Sequence, residues 1–295
     1  MSKQLTAYIN LTLAMVIVGS SVVAGKIMVA ELPVFLASAM RFVLALAILI
    51  PLLWLREGGL PKISLRSWGK LAIQSLCGSF LFTVFLLYGL THTGPTSAGI
   101  ITSTTPACMG IIAWLFLRDR PSLKTGTGIV LSVLGVIVIN SVQGGGISGS
   151  NPLLGNGMVL GAVIFESLFL IIRKTVPEPL SPLAVSTIIS IFGLIWFLPV
   201  GVHELITTDL TRISVTGWIT VGYYGAFVTV LAYLFWFAGI TRVPASTAGI
   251  FTAVMPVSAL VLSVLILGEP VGWAQLIGCV CVLGGIVLIS RSRGE

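Results

Sequence analysis

Charge is what this 295-residue chain has least of. Lys, Arg, Asp and Glu make up 8% of it and hydrophobic residues 56%, with a mean hydropathy of +1.10, whereas a soluble domain carries roughly 25% charged residues. A water-facing exterior cannot be built from this composition, which excludes a soluble enzyme or binding module. Histidine occurs only at His92 and His203, and neither has an acid or nucleophile spaced to serve it. An enzyme needs a convergent set of catalytic groups, so none is expected. The four cysteines, Cys77, Cys108, Cys279 and Cys281, lie inside apolar runs, where they read as small fillers rather than a disulfide framework or a metal-ligand set. No GxxxxGK[ST] phosphate loop occurs, so ATP cannot be bound and split by that route. No cofactor and no metal are expected. The net charge of +7 would raise nucleic acid as a partner of a soluble chain, but the basic residues sit in short loops between apolar runs, where they serve membrane orientation instead.

What is present is a repeat. Residues 93–106 read TGPTSAGIITSTTP and 243–256 read VPASTAGIFTAVMP, which places Pro256 150 residues after Pro106. The same register pairs Gly89 with Gly239, Thr91 with Thr241, Asp119 with Glu269, Gly128 with Gly278 and Gly135 with Gly285. So long and apolar a repeat is a duplicated membrane module.

Turn and charge punctuation divides the chain into ten apolar segments, near 8–28, 33–55, 68–91, 95–116 and 125–141, then 153–172, 182–202, 215–237, 244–267 and 271–290. Each is about the 20 residues that cross a bilayer as a helix. The first is longer than the h-region of a signal peptide and is read as a retained helix. Five segments per half is an odd number, so the second copy enters the membrane from the opposite side and the halves form an inverted pair. The loops agree. With the N-terminus inside, Lys3, Arg56, Lys62, Arg66, Lys70, Arg118, Arg120, Lys124, Arg173, Lys174, Arg242, Arg291 and Arg293 are all cytoplasmic, while Lys26 and Arg212 are outside and Arg41 lies within the second segment. Lys and Arg near helix ends resist translocation, so this split fixes both termini in the cytoplasm. The polar stretch 142–152, VQGGGISGSNP, reads as a flexible extracytoplasmic linker. The expected organisation is a first repeat over 1–141, the linker, and a second repeat over 153–295.

Two five-segment halves, small-residue fourth and ninth segments, and the joints Asp119-Arg120-Pro121 and Glu269-Pro270 together resemble the paired EamA-type repeats of the drug/metabolite transporter superfamily, over nearly the whole chain. Within it the chain is most similar overall to bacterial inner-membrane exporters of amino acids, aromatic ones included. The resemblance implies an all-α polytopic fold with a central cavity between two inverted five-helix repeats, and transport by alternating access. Members often carry Trp before the small residue of the first helix and at the related place in the sixth; here Val18 precedes Gly19 and Phe165 precedes Glu166.

Candidate binding groups follow from chemistry inside a bilayer. Pro106 and Pro256 kink their helices and free the carbonyls of Thr102 and Thr252; these either meet a substrate ammonium, as broken helices do in carriers, or are satisfied by water and neighbouring hydroxyls. Glu166 is the acid set well inside an apolar run. It is paired with Lys26 or Arg41, exposed to a water-filled cavity, or protonated. Arg41 either holds a substrate carboxylate or, as the preferred expectation, snorkels to the outer interface, and Lys26 does the same. Ser20, Ser21, Thr102, Thr105 and Thr252 are hydroxyls on segments rich in small residues, which also let helices approach closely. Phe80, Tyr88, Phe165, Tyr223, Tyr224, Trp236 and Phe237 are the aromatics that the family places around the cavity, and a phenol buried at Tyr223 or Tyr224 needs a partner. Asp119 and Glu269 read as capping residues. The expected function is export of neutral, apolar or aromatic amino acids across the inner membrane, with a multidrug, quaternary-cation or other small-metabolite exporter as the alternative. The partners are the small-molecule substrate and the lipid bilayer.

Overall fold

The computed structural model describes residues 3–102, scattered positions between 104 and 138, 150–173, 176–242, 251, 254–268 and 272–291. These residues are helical, without strands among them. The helices are α1 (Lys3–Glu31), α2 (Val34–Glu57), α3 (Leu65–His92), α4 (Pro95–Thr102), α5 (Pro152–Arg173), α6 (Pro182–Thr207), α7 (Val215–Ile240), α8 (Val254–Leu267) and α9 (Trp273–Arg291). Six of them, α1, α2, α3, α5, α6 and α7, are apolar over 18 to 28 residues, which at 1.5 Å per residue spans the hydrocarbon core. Their outward faces carry large apolar side chains such as Leu55 and Ile219, as a lipid-facing surface requires. Asp119, Glu269, Pro106, Thr252, most of 109–149 and therefore most of the fifth segment lie outside the described residues.

Serine starts three of the helices. Ser64, Ser181 and Ser214 accept from the backbone N–H of Ser67, Ala184 and Gly217 at the beginnings of α3, α6 and α7. Each of these serines, and the open start of α2, is also held by a carboxylate from elsewhere in the chain. Glu178, just beyond α5, takes the hydroxyls of Ser64 at 2.9 Å and Ser67 at 2.6 Å. Glu31, ending α1, takes the hydroxyl and the N–H of Ser214 at 2.7 and 2.9 Å. Glu57, ending α2, takes Ser181 at 2.8 Å, and Glu204, near the end of α6, takes the Leu36 N–H at 2.7 Å. A carboxylate at a helix N-terminus meets unpaired N–H groups and the positive end of the dipole.

Packing runs between distant parts of the chain. α1 lies against α7 and α8, α5 against α3 and α4, α2 against α6, and α4 against α8. Close approach is possible where side chains vanish. A Cβ on Gly89 of α3 would stand 2.8 Å from the Val159 methyl and 3.0 Å from the Gly155 oxygen of α5; one on Gly239 of α7 would stand 2.6 Å from the Leu11 side chain and 3.2 Å from the Ala7 oxygen of α1.

Two helices change pitch on the way through. α3 widens to a π-helical turn over Leu76–Leu81 and α7 over Tyr224–Leu231. At their ends the Phe82 N–H reaches the Cys77 carbonyl and the Ala232 N–H reaches that of Phe227, five residues back. Each extra residue rotates the rest of its helix relative to a regular α-helix.

Candidate functional site

The widened turns of α3 and α7 flank a cavity completed by α1, α2 and α5. It offers about 90 Å³ in which the centre of a water molecule can move, several times the roughly 10–15 Å³ that one ordered water needs. Its wall is mostly apolar, from Met15, Val18, Phe82, Leu86, Leu87, Phe169, Val228 and Trp236, with Ser21, Arg41, Thr83, Glu166, Tyr224 and Tyr233 as the polar groups among the described lining residues. Along α7 the lining positions 224, 228, 232 and 236 recur every four residues, a spacing that a regular α-helix would carry round its surface and the wider π turn holds on one face.

Arg41 departs from its expectation. It is 4% exposed, because α6 and α7 cover that side of α2; it does not snorkel. Its Nη2 donates to the Thr83 hydroxyl at 2.8 Å, its guanidinium lies 4.5 Å from the centre of the Phe42 ring and 5.3 Å from that of Tyr224, and its Nε has no hydrogen-bond partner among the described residues. Lys26 instead donates to the carbonyls of Leu90 and Thr93, the latter at 3.1 Å, at the end of α3.

Glu166 faces the cavity, half-buried, and takes the Thr105 hydroxyl on Oε2 at 2.7 Å. Its carboxyl makes no ion pair with Arg41 or Lys26 and lies on the cavity wall. The carbonyl of Thr102 is not left open, for the same Thr105 hydroxyl lies 2.7 Å from it. Thr102 and Thr105 are buried behind Glu166 rather than in the lining. Pro256 falls within α8, and Pro106 and Thr252 lie outside the described residues.

Two phenols of α7 hold it to α1. Tyr224 donates to the Ser21 carbonyl at 2.6 Å, and the Tyr223 and Ser20 hydroxyls meet at 2.5 Å. Thus Ser21, Glu166, Tyr224 and Trp236 come together on the wall, with Ser20, Tyr223 and Thr105 directly behind. Four expected aromatics do not reach it, Phe237 among them, whose ring packs edge-on to Tyr233 at 6.0 Å. Phe80 packs 4.8 Å from Phe197, Tyr88 6.2 Å from Phe35, and Phe165 edge-on to Phe85 at 5.2 Å, ring centre to ring centre. Thr83 and Tyr233 were not singled out by sequence. Tyr233 stands three residues before Trp236, a helical neighbour that the spacing alone could have flagged, and its hydroxyl meets that of Ser79 at 3.2 Å.

A buried cation and an acid opposite a largely aromatic and aliphatic wall suit reversible binding of a small solute that carries both charges. They offer no nucleophile with an adjacent base.

Known proteins share this architecture. An uncharacterized transporter of Bacillus subtilis (strain 168), YetK, is 46% identical over 285 residues, covering 96% of this chain and 86% of its own. A second uncharacterized transporter of that organism, YyaM, is 26% identical over 98% of this chain and 94% of its own. A solved crystal structure matches 98% of both chains with a TM-score of 0.70 at 17% identity, a likeness of fold alone. The description of the EamA-like transporter family matches residues 5–141 and again 153–291. These similarities point to transport rather than to an enzyme. The chain belongs to the EamA-like transporter family and is a multi-pass membrane transporter.

Proposed function

We propose that the chain exports neutral amino acids with apolar or aromatic side chains across the bacterial inner membrane by alternating access. The observation that carries this reading is that Arg41 and Glu166 both line one mostly apolar cavity. A zwitterion places its carboxylate at the guanidinium, whose Nε is unpaired, and its ammonium at Glu166, and lays its side chain on Phe82, Phe169 and Trp236. A quaternary cation would find Glu166 and the rings but also a like charge at Arg41 that repels it, which disfavours drug export.

The same reading includes ten transmembrane helices in two inverted repeats, 1–141 and 153–295, joined outside by 142–152, with both termini cytoplasmic. Packing supports it. Exchanging α1 with α5, α2 with α6, α3 with α7 and α4 with α8 turns the contact α1–α7 into α3–α5 and α1–α8 into α4–α5, both observed, and returns α2–α6 and α4–α8 to themselves. The exchange extends to atoms: Gly89 meets Val159 and the Gly155 oxygen as Gly239 meets Leu11 and the Ala7 oxygen. It also turns the Glu178–Ser64 clasp into that of Glu31 with Ser214.

Flux of labelled leucine and phenylalanine into proteoliposomes of the pure protein, against a labelled quaternary cation, tests the substrate. Saturable amino-acid flux is expected. Cation flux without amino-acid flux would move the assignment to drug export.

A further inference from the structure

Thr105 has one hydroxyl proton and two acceptors. Its Oγ1 lies 2.7 Å from the Thr102 carbonyl and 2.7 Å from Glu166 Oε2. A hydroxyl donates once, so with an ionised Glu166 one of these contacts would press lone pair against lone pair. Both are satisfied when Glu166 carries the proton: Oε2 donates to Thr105, and Thr105 donates to the Thr102 carbonyl. Nothing else described around Glu166 stands in for that proton. On its own helix the Ser167 hydroxyl is turned to the Val163 carbonyl, and the Cys108 thiol faces Ser167 and Glu166 from beyond α4. Across the cavity, Arg41 on α2 donates to Thr83, Tyr224 on α7 to the Ser21 carbonyl, and Tyr233 on α7 meets Ser79. The groups of α3 on the wall, among them Gly78, Phe82 and Thr83, do not titrate. An ionised carboxylate with a single shared donor in such a wall is costly.

We infer that Glu166 is a proton site, occupied while the cavity is empty and vacated when a substrate ammonium takes its place, so that each solute leaving is exchanged for one proton entering. The identity of the solute rests on the amino-acid reading above; the proton site does not. The step is the acid form of Glu166 plus a bound ammonium giving the carboxylate–ammonium pair, with the O–H bond broken and its proton passed to water in the open cavity. Thr105 then turns its hydrogen from the Thr102 carbonyl to the carboxylate, which makes it a positioning residue. A zwitterion is neutral overall, so each exchange carries one net positive charge inward and responds to membrane potential as well as to a pH gradient.

Infrared difference spectra of the purified protein test the site directly. At about pH 7, where a solvated Glu is ionised, the wild type should show the carbonyl stretch of a protonated acid; Glu166→Gln should lack it and Glu166→Asp should shift it. Thr105→Val should displace the band and Thr105→Ser restore it. Adding L-leucine should abolish the band and release one proton per molecule bound, and apparent affinity should fall about tenfold per pH unit on the acid side, because binding then requires loss of one proton. Glu166→Gln should bind, if more weakly, without that pH dependence. A wild-type spectrum with no protonated acid assignable to Glu166 overturns the inference, as does leucine binding that leaves the band in place. A band that Glu166→Gln removes and Thr105→Val displaces, while no neutral amino acid binds, upholds the proton site and removes the amino-acid reading instead.

Discussion

Arg41 holds a full charge in a wall of rings, with one hydroxyl and two aromatic faces for company. Burying a guanidinium costs desolvation that these partners offset in part, so on the proposed reading Arg41 serves a ligand rather than stability. Arg41→Met should therefore match or exceed the wild type in thermal unfolding, while leucine binding falls about tenfold or more, the worth of one charged hydrogen bond. Binding retained by Arg41→Met would remove the carboxylate role. Tyr224 makes the opposite case. Its phenol is buried and bonded to the Ser21 carbonyl, so Tyr224→Phe should cost about 1 kcal/mol in stability, and denaturant titration checks it. Neither side chain announces this in sequence. An arginine two turns into an apolar run satisfies snorkelling equally well, and only the cover of α6 and α7 decides against it.

At the level of elements, the carboxylate clasps tie helix starts to helix ends far away in sequence. The Ser67 hydroxyl above all, with that of Ser64, holds Glu178 below the usual carboxylate range. A depressed carboxylate contributes stability above its unfolded value, about 4.3 for Glu, and loses it as pH falls through the lower folded value. Ser67→Ala should thus be less stable than the wild type near neutrality, and the gap should close on acidification below about pH 4; melting temperatures in detergent across that range check it. Asp209 is held down in the same way by Thr211, but within its own turn, so it ties no helices together. In the other half Gly217 stands where Ser67 would fall in the repeat, and a Cβ there would be 2.6 Å from Glu31 Oε2. One half supplies a hydroxyl and the other makes room, with the same clasp as the result.

Over the whole molecule, the repeat predicts paired sensitivity. Gly89→Ala and Gly239→Ala each push a methyl into the helix across the contact and should cost about 1–3 kcal/mol each. The sites share no neighbours, so the double variant should lose roughly the sum; thermal unfolding in detergent is the measurement, and a silent change at either glycine would argue against equivalent interfaces. Topology gives a second test. A single cysteine placed in 142–152 should react with an impermeant thiol reagent in intact cells, and one placed after Arg291 should react only once the membrane is opened.

Sequence by itself determined the class of this protein: scarce charge and apolar runs of bilayer length make it a multi-pass membrane protein, and a 150-residue repeat points to a duplicated module, because these are properties of composition and spacing rather than of any one contact. It also marked Glu166, since an acid in an apolar run is conspicuous wherever it points. The tertiary structure alone decided which groups meet. Phe80, Tyr88 and Phe165 carry the same chemistry as Trp236 yet pack away from the cavity, while Arg41, Thr83 and Tyr233 enter it. Periodicity could not foresee that, because π turns in α3 and α7 reset which face each helix presents, and because Thr105 and Glu166, 61 residues apart, are brought together only by the packing of α4 on α5.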